Sequence, residues 1–97
     1  DLRKKSPTYK KIQTINLKKS DNSILWLPPG IAHGFYSITS NVILNYKVTQ
    51  FYDPADEYTL KWNDKNLKIK WPSKKPILSK KDKYECLSFS NVLDIIN

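Results

Sequence analysis

Ninety-seven residues hold at most one domain. A net charge of +8, from 17 Lys and Arg against 9 Asp and Glu, favours anionic partners, and an aromatic share of 12% argues for a packed chain over a disordered tail. The single cysteine, Cys86, excludes an internal disulfide and a cysteine-based metal site, and no apolar run approaches the roughly 20 residues of a membrane span.

The chain opens Asp1-Leu2-Arg3 with no methionine, so it reads as an incomplete open reading frame or as a segment cut from a longer chain. Without a signal peptide, the expected location is the cytoplasm, which the cysteine usage suits. Residues 4 to 11 are polar and basic, with Ser6-Pro7 as a turn signal. Thr8 to Leu17 alternates imperfectly and reads as a strand, and Lys18 to Ser23 as a turn. Ser23 to Leu27 is a short apolar strand. Pro28-Pro29-Gly30 then forms a sharp turn, because proline fixes φ and Gly30 accepts a positive one. This turn delivers His33, the only histidine. Phe35 to Thr39 is a further strand, closed by Ser40-Asn41 as a hairpin connection.

Val42 to Tyr52 carries the clearest strand pattern. Val42, Leu44, Tyr46, Val48, Gln50 and Tyr52 share one face at period two, so Tyr46 and Tyr52 point the same way. Asp53 to Asp56 is a turn that delivers Glu57. Tyr58 to Trp62 is briefly β-like, Asn63 to Asn66 turns, and Leu67 to Trp71 alternates until Pro72 ends it. Ser79 with Asp82 three residues on fits a helix cap. Ser88 to Asn97 is expected to be a short helix with Val92, Leu93, Ile95 and Ile96 inward. Many short strands with turns every eight to twelve residues predict an all-β sandwich or barrel.

A lone histidine is commonly a structural ring bonded to a carbonyl, and a strand tyrosine is commonly core. A phenol nevertheless stays protonated at neutral pH and is a competent acid. One His and one Cys are too few for a metal site. Sixteen of the 17 basic residues are lysine, and this scarcity of arginine argues against a nucleic-acid binder.

Leu27-Pro28-Pro29-Gly30-Ile31-Ala32-His33-Gly34-Phe35 resembles the Pro-Pro-Gly-hydrophobic-Ala-His-Gly-Phe motif of the dTDP-4-dehydrorhamnose 3,5-epimerase family. Leu44 to Tyr52 is similar to that family's catalytic-tyrosine strand. The match continues in order through Asp53-Pro54-Ala55-Asp56-Glu57, Lys61-Trp62-Asn63-Asp64, Ile69-Lys70-Trp71-Pro72 and Pro76 to Asp82. Asp1-Leu2-Arg3 before Ser6-Pro7-Thr8 also fits. The resemblance covers residues 1 to about 83.

It implies a cupin, an antiparallel jelly roll, present as a single partial domain over residues 1–97 with a short C-terminal helical segment. It also implies a homodimer, a dTDP-4-keto-6-deoxyhexose substrate, and neither metal nor organic cofactor. Position by position, Tyr46 corresponds to the proton donor and His33 to a substrate-binding histidine. Tyr52 corresponds to the aromatic that stacks on thymine, and Glu57 and Lys81 to substrate contacts. Asp82 corresponds to the aspartate that orients the catalytic histidine. The family's general base, a histidine in an Arg-Gly-Leu-His segment, has no counterpart among these residues. The 97 residues alone are therefore expected to be inactive. The other reading is a non-catalytic cupin remnant that binds a nucleotide or sugar.

Overall fold

The computed structural model describes residues 1–97. Its regular elements are local ones, each closed by a residue that the chain supplies within a few positions. A 3-10 turn at Lys19–Asp21 ends in Asn22 at φ 48°. A second, Pro54–Asp56, begins with proline and is capped by Asp53, whose Oδ1 accepts from the Ala55 amide at 2.9 Å. Helix α1, Lys80–Tyr84, starts at Ser79, whose Oγ accepts from the Asp82 amide at 3.1 Å. Helix α2, Phe89–Ile96, starts at Ser88 in the same way, with the Asn91 amide as donor at 3.2 Å. The expected turns over Lys18 to Ser23 and Asp53 to Asp56 and both helix starts are therefore present, whereas Ser40-Asn41 joins no hairpin. No helix is long and apolar enough to cross a membrane.

The all-β jelly roll is not. The structure contains no strand, and its one β-bridge joins Leu60 to Leu87 in parallel. Backbone-to-backbone hydrogen bonds number 21, against roughly two for every three residues in a folded domain. From Ala32 to Tyr52 no residue makes a hydrogen bond of any kind to another residue. The physical reason lies in what a strand is. Alternation of apolar and polar residues prepares a segment for a sheet, but its stability comes from a ladder with a neighbour and a covered apolar face. Here neither exists. Ile43 is 92% exposed and Phe51 fully so, and the backbone polar groups of this region are left to water. Leu67 to Trp71 fails as a strand for a second reason: Lys68 takes φ 52°, which breaks the pleat.

Order concentrates in two places. At the N-terminus, the Asp1 carboxylate, 5% accessible, accepts from the Arg3 amide (3.0 Å), Arg3 Nε and Nη2 (2.9 Å each), Ser6 Oγ (2.5 Å) and Thr8 Oγ1 (2.6 Å). The Leu2 amide donates to the Gly30 carbonyl at 2.9 Å, so this knot holds the Pro28–Gly30 turn. Gly30 sits at φ 89°, and a Cβ there would lie 2.5 Å from Arg3 Cγ. The turn thus needs glycine for its backbone and for its space.

The second place is the C-terminal third. The Lys61 amide donates to the Leu87 carbonyl and the Leu87 amide to the Thr59 carbonyl, both at 2.8 Å. Asp64 Oδ1 accepts from the Asn66 amide at 2.8 Å, closing a turn, while Oδ2 accepts from the Phe89 amide at 2.9 Å. Asp64 thereby satisfies an orphan donor in the first turn of α2 and places a negative charge there. Phe89 and Val92 are the buried core. Of the residues expected to point inward, Val92 is buried and Leu93 half-buried, but Ile95 and Ile96 are exposed. The helix turns Phe89, three positions before Val92, inward in their stead.

Candidate functional site

Two local devices aim side chains at one another across 24 residues of sequence. The capped turn Pro54–Asp56 presents Glu57, and the first turn of α1 presents Lys81. Lys81 Nζ donates to Glu57 Oε2 in an ion pair. Both side chains stay partly open to solvent, at 47% and 38%. The hydrogen bond it donates to Glu57 is the main cause that raises the Lys81 ammonium above the usual lysine range, and the Glu57 charge adds to it. Lys81 and Glu57 are thus brought together by two turns far apart in sequence. Tyr52 is 74% exposed.

The other predicted residues are not drawn into that group. Asp82 follows Lys81 but turns to the helix start: Ser79 Oγ donates to Asp82 Oδ2 at 3.0 Å. His33 is exposed beyond the Gly30 turn, and Tyr46 is 77% exposed. Neither forms a hydrogen bond, since both lie in the unbonded stretch. No three His, Cys, Asp or Glu side chains converge as a metal-ligand set.

Two clefts of the molecule lie elsewhere. One, of about 530 Å³, runs along Trp62 and Trp71 with Lys65, Lys68, Lys70 and Lys74 around it. Inside it Trp71 Nε1 donates to the Trp62 carbonyl at 2.8 Å. The far edge of the same indole faces Gly34: a Cβ at position 34 would sit 3.8 Å from Trp71 Cη2. Sequence reasoning assigned Trp62, Asp64 and Trp71 to a motif without a role. The one available signal was the position of Asp64 in the Asn63 to Asn66 turn, where a side chain is free to bond backbone.

Comparison with known proteins gives a consistent result. The family model described as dTDP-4-dehydrorhamnose 3,5-epimerase matches residues 1–89. The dTDP-4-dehydrorhamnose 3,5-epimerase of Shigella flexneri is 40% identical over 82 residues, which cover 84% of this chain and 45% of that protein. Its counterpart in Salmonella typhimurium is 41% identical over 83 residues, again 84% and 45%. The dTDP-4-dehydrorhamnose 3-epimerase of Streptomyces niveus is 38% identical over 82 residues, 84% of this chain and 40% of that protein. The chain thus spans less than half the length of these relatives. No solved structure matches it.

Proposed function

From the premise that the chain belongs to the dTDP-4-dehydrorhamnose 3,5-epimerase family, we propose that it carries the proton-returning side of an epimerase site. The substrate is a dTDP-4-keto-6-deoxyhexose. Carbons 3 and 5 flank the C4 ketone, so their protons are acidified and removal leaves an enolate. A base takes the proton from one face, and an acid returns one to the opposite face. Tyr46 is the acid. His33, Glu57 and Lys81 contact the substrate, Tyr52 stacks on the thymine, and Asp82 orients the base.

The base comes from outside these 97 residues, whose only histidine has another role. By themselves they bind ligand without turning it over. The working protein is a cytoplasmic homodimer in this reading. The observation that best supports it is the Lys81–Glu57 pair, because two residues matching the family's ligand contacts meet although they lie 24 positions apart in sequence.

A second reading, a non-catalytic chain that binds a nucleotide or sugar, draws on the exposure of Tyr46 and its lack of any partner. A chimera separates the two. Residues 1 to 83 replace the matched stretch of the Shigella flexneri relative, and deuterium incorporation at C3 and C5 of the keto sugar is followed in heavy water. The epimerase reading expects turnover, and a fall of about 10²- to 10⁴-fold on Tyr46→Phe with dTDP binding retained. A folded chimera that binds dTDP and exchanges no proton would establish the non-catalytic reading.

A further inference from the structure

We infer that Trp71 is a positioning residue for His33: its indole is the arm by which the ordered C-terminal third holds the His33–Gly34 segment. The inference rests on the proposed function for the meaning of His33, and on geometry for everything else.

Position 33 has little to hold it. From Ala32 to Tyr52 no hydrogen bond reaches the rest of the chain, and His33 itself is exposed. The N-terminal knot secures the turn as far as Gly30, and the Ile31 amide still donates to the Pro28 carbonyl at 3.3 Å. Beyond that point the anchoring by hydrogen bonds stops, two residues short of the histidine.

Trp71 begins at the opposite end. Residues 59–61 are tied to Leu87 by the paired 2.8 Å bonds of the bridge. The next residue, Trp62, offers its carbonyl to Trp71 Nε1 at 2.8 Å. An indole has one donor, and satisfying it fixes the direction in which the ring extends. That direction brings Cη2, the atom farthest along the six-membered ring, toward Gly34: a Cβ added there would lie 3.8 Å from it, so the glycine α-proton on that side faces the ring. A path therefore runs from the Leu60–Leu87 bridge through Trp62 and the indole to the residue beside His33. Trp71 is half-buried and touches no predicted site residue through a hydrogen bond, so its effect on His33 passes through Gly34.

The sole histidine makes the test direct, because one imidazole gives one Cε1–H signal. In the intact 97-residue chain a nuclear Overhauser effect is expected between Trp71 Hη2 and the Gly34 α-protons. Trp71→Phe lacks the Nε1 donor and ends short of the indole's outer ring, so it loses that effect while filling most of the volume. Trp71→Ala loses both. In each variant the His33 signal moves toward that of a free histidine peptide, while the Phe89 amide, in α2, stays in place. Leu93→Ala, on α2, leaves the His33 signal unmoved. The inference is overturned if the effect is absent from the parent chain, if His33 is unmoved in both Trp71 variants, or if Leu93→Ala shifts it as far as they do. Turnover plays no part in the measurement, so a negative result here leaves the proposed activity standing, and an inactive chimera leaves this result standing.

Discussion

Replacing Gly30 by alanine tests the device that presents the histidine segment. Two costs follow from the structure. At φ 89° a side chain clashes with its own backbone, which costs about 1–2 kcal/mol. The new Cβ would also stand 2.5 Å from Arg3 Cγ and 3.0 Å from Cδ. These atoms are near the root of the side chain, so clearing them swings the guanidinium away from Asp1 and breaks its two 2.9 Å bonds. Arg3 is 45% accessible, and an ion pair that open contributes roughly 0.2–1 kcal/mol. The sum is about 1.2–3 kcal/mol, or roughly an eight- to 150-fold rise in opening of the turn. Amide hydrogen exchange reads it at Leu2, whose N–H donates to the Gly30 carbonyl. A double-mutant cycle separates the two costs: with Arg3→Ala already in place, Gly30→Ala retains only the backbone part. Unchanged exchange at Leu2 in Gly30→Ala would refute the reasoning.

Two pH responses follow, of opposite sign. Asp64 is held below the ordinary carboxylate value of 3.8, first by the Phe89 amide and then by that of Asn66. Its folded pKa is depressed, so its support of α2 is complete above the unfolded value and is lost as pH falls through the folded one. An acid titration of the Phe89 amide shift is expected to show this, and Asp64→Asn to remove the step; a step that persists in Asp64→Asn assigns it to another group. Lys81 is raised above 10.5 by Glu57. Its contribution is complete below the unfolded value and disappears as pH rises through the folded one. Glu57→Gln should return the Lys81 ammonium toward its ordinary titration, followed by nitrogen-15 NMR of the lysine side chains, and an unchanged midpoint would count against the pair.

What could be read from the amino acids alone are the features closed over a few positions and the ordered motifs. The Gly30 turn, the Asp53 to Asp56 turn, the Ser79 cap and the start of α2 at Ser88 all appear where residue chemistry placed them, because donor and acceptor lie two or three residues apart. Family membership was equally legible, since six motifs in order are a property of the string. Strand pairing was not. The pattern over Val42 to Tyr52 announces two faces, but a ladder needs a second segment, and none of the 97 residues takes that place. The same distinction governs the site. Lys81 and Glu57 were each recognisable by motif, yet only the tertiary arrangement decided that they pair across 24 positions while Asp82 stays at its helix cap. It alone set Trp71 against Gly34. A periodicity or a cap is decided by neighbours along the chain, whereas a contact between distant residues depends on how the chain between them closes.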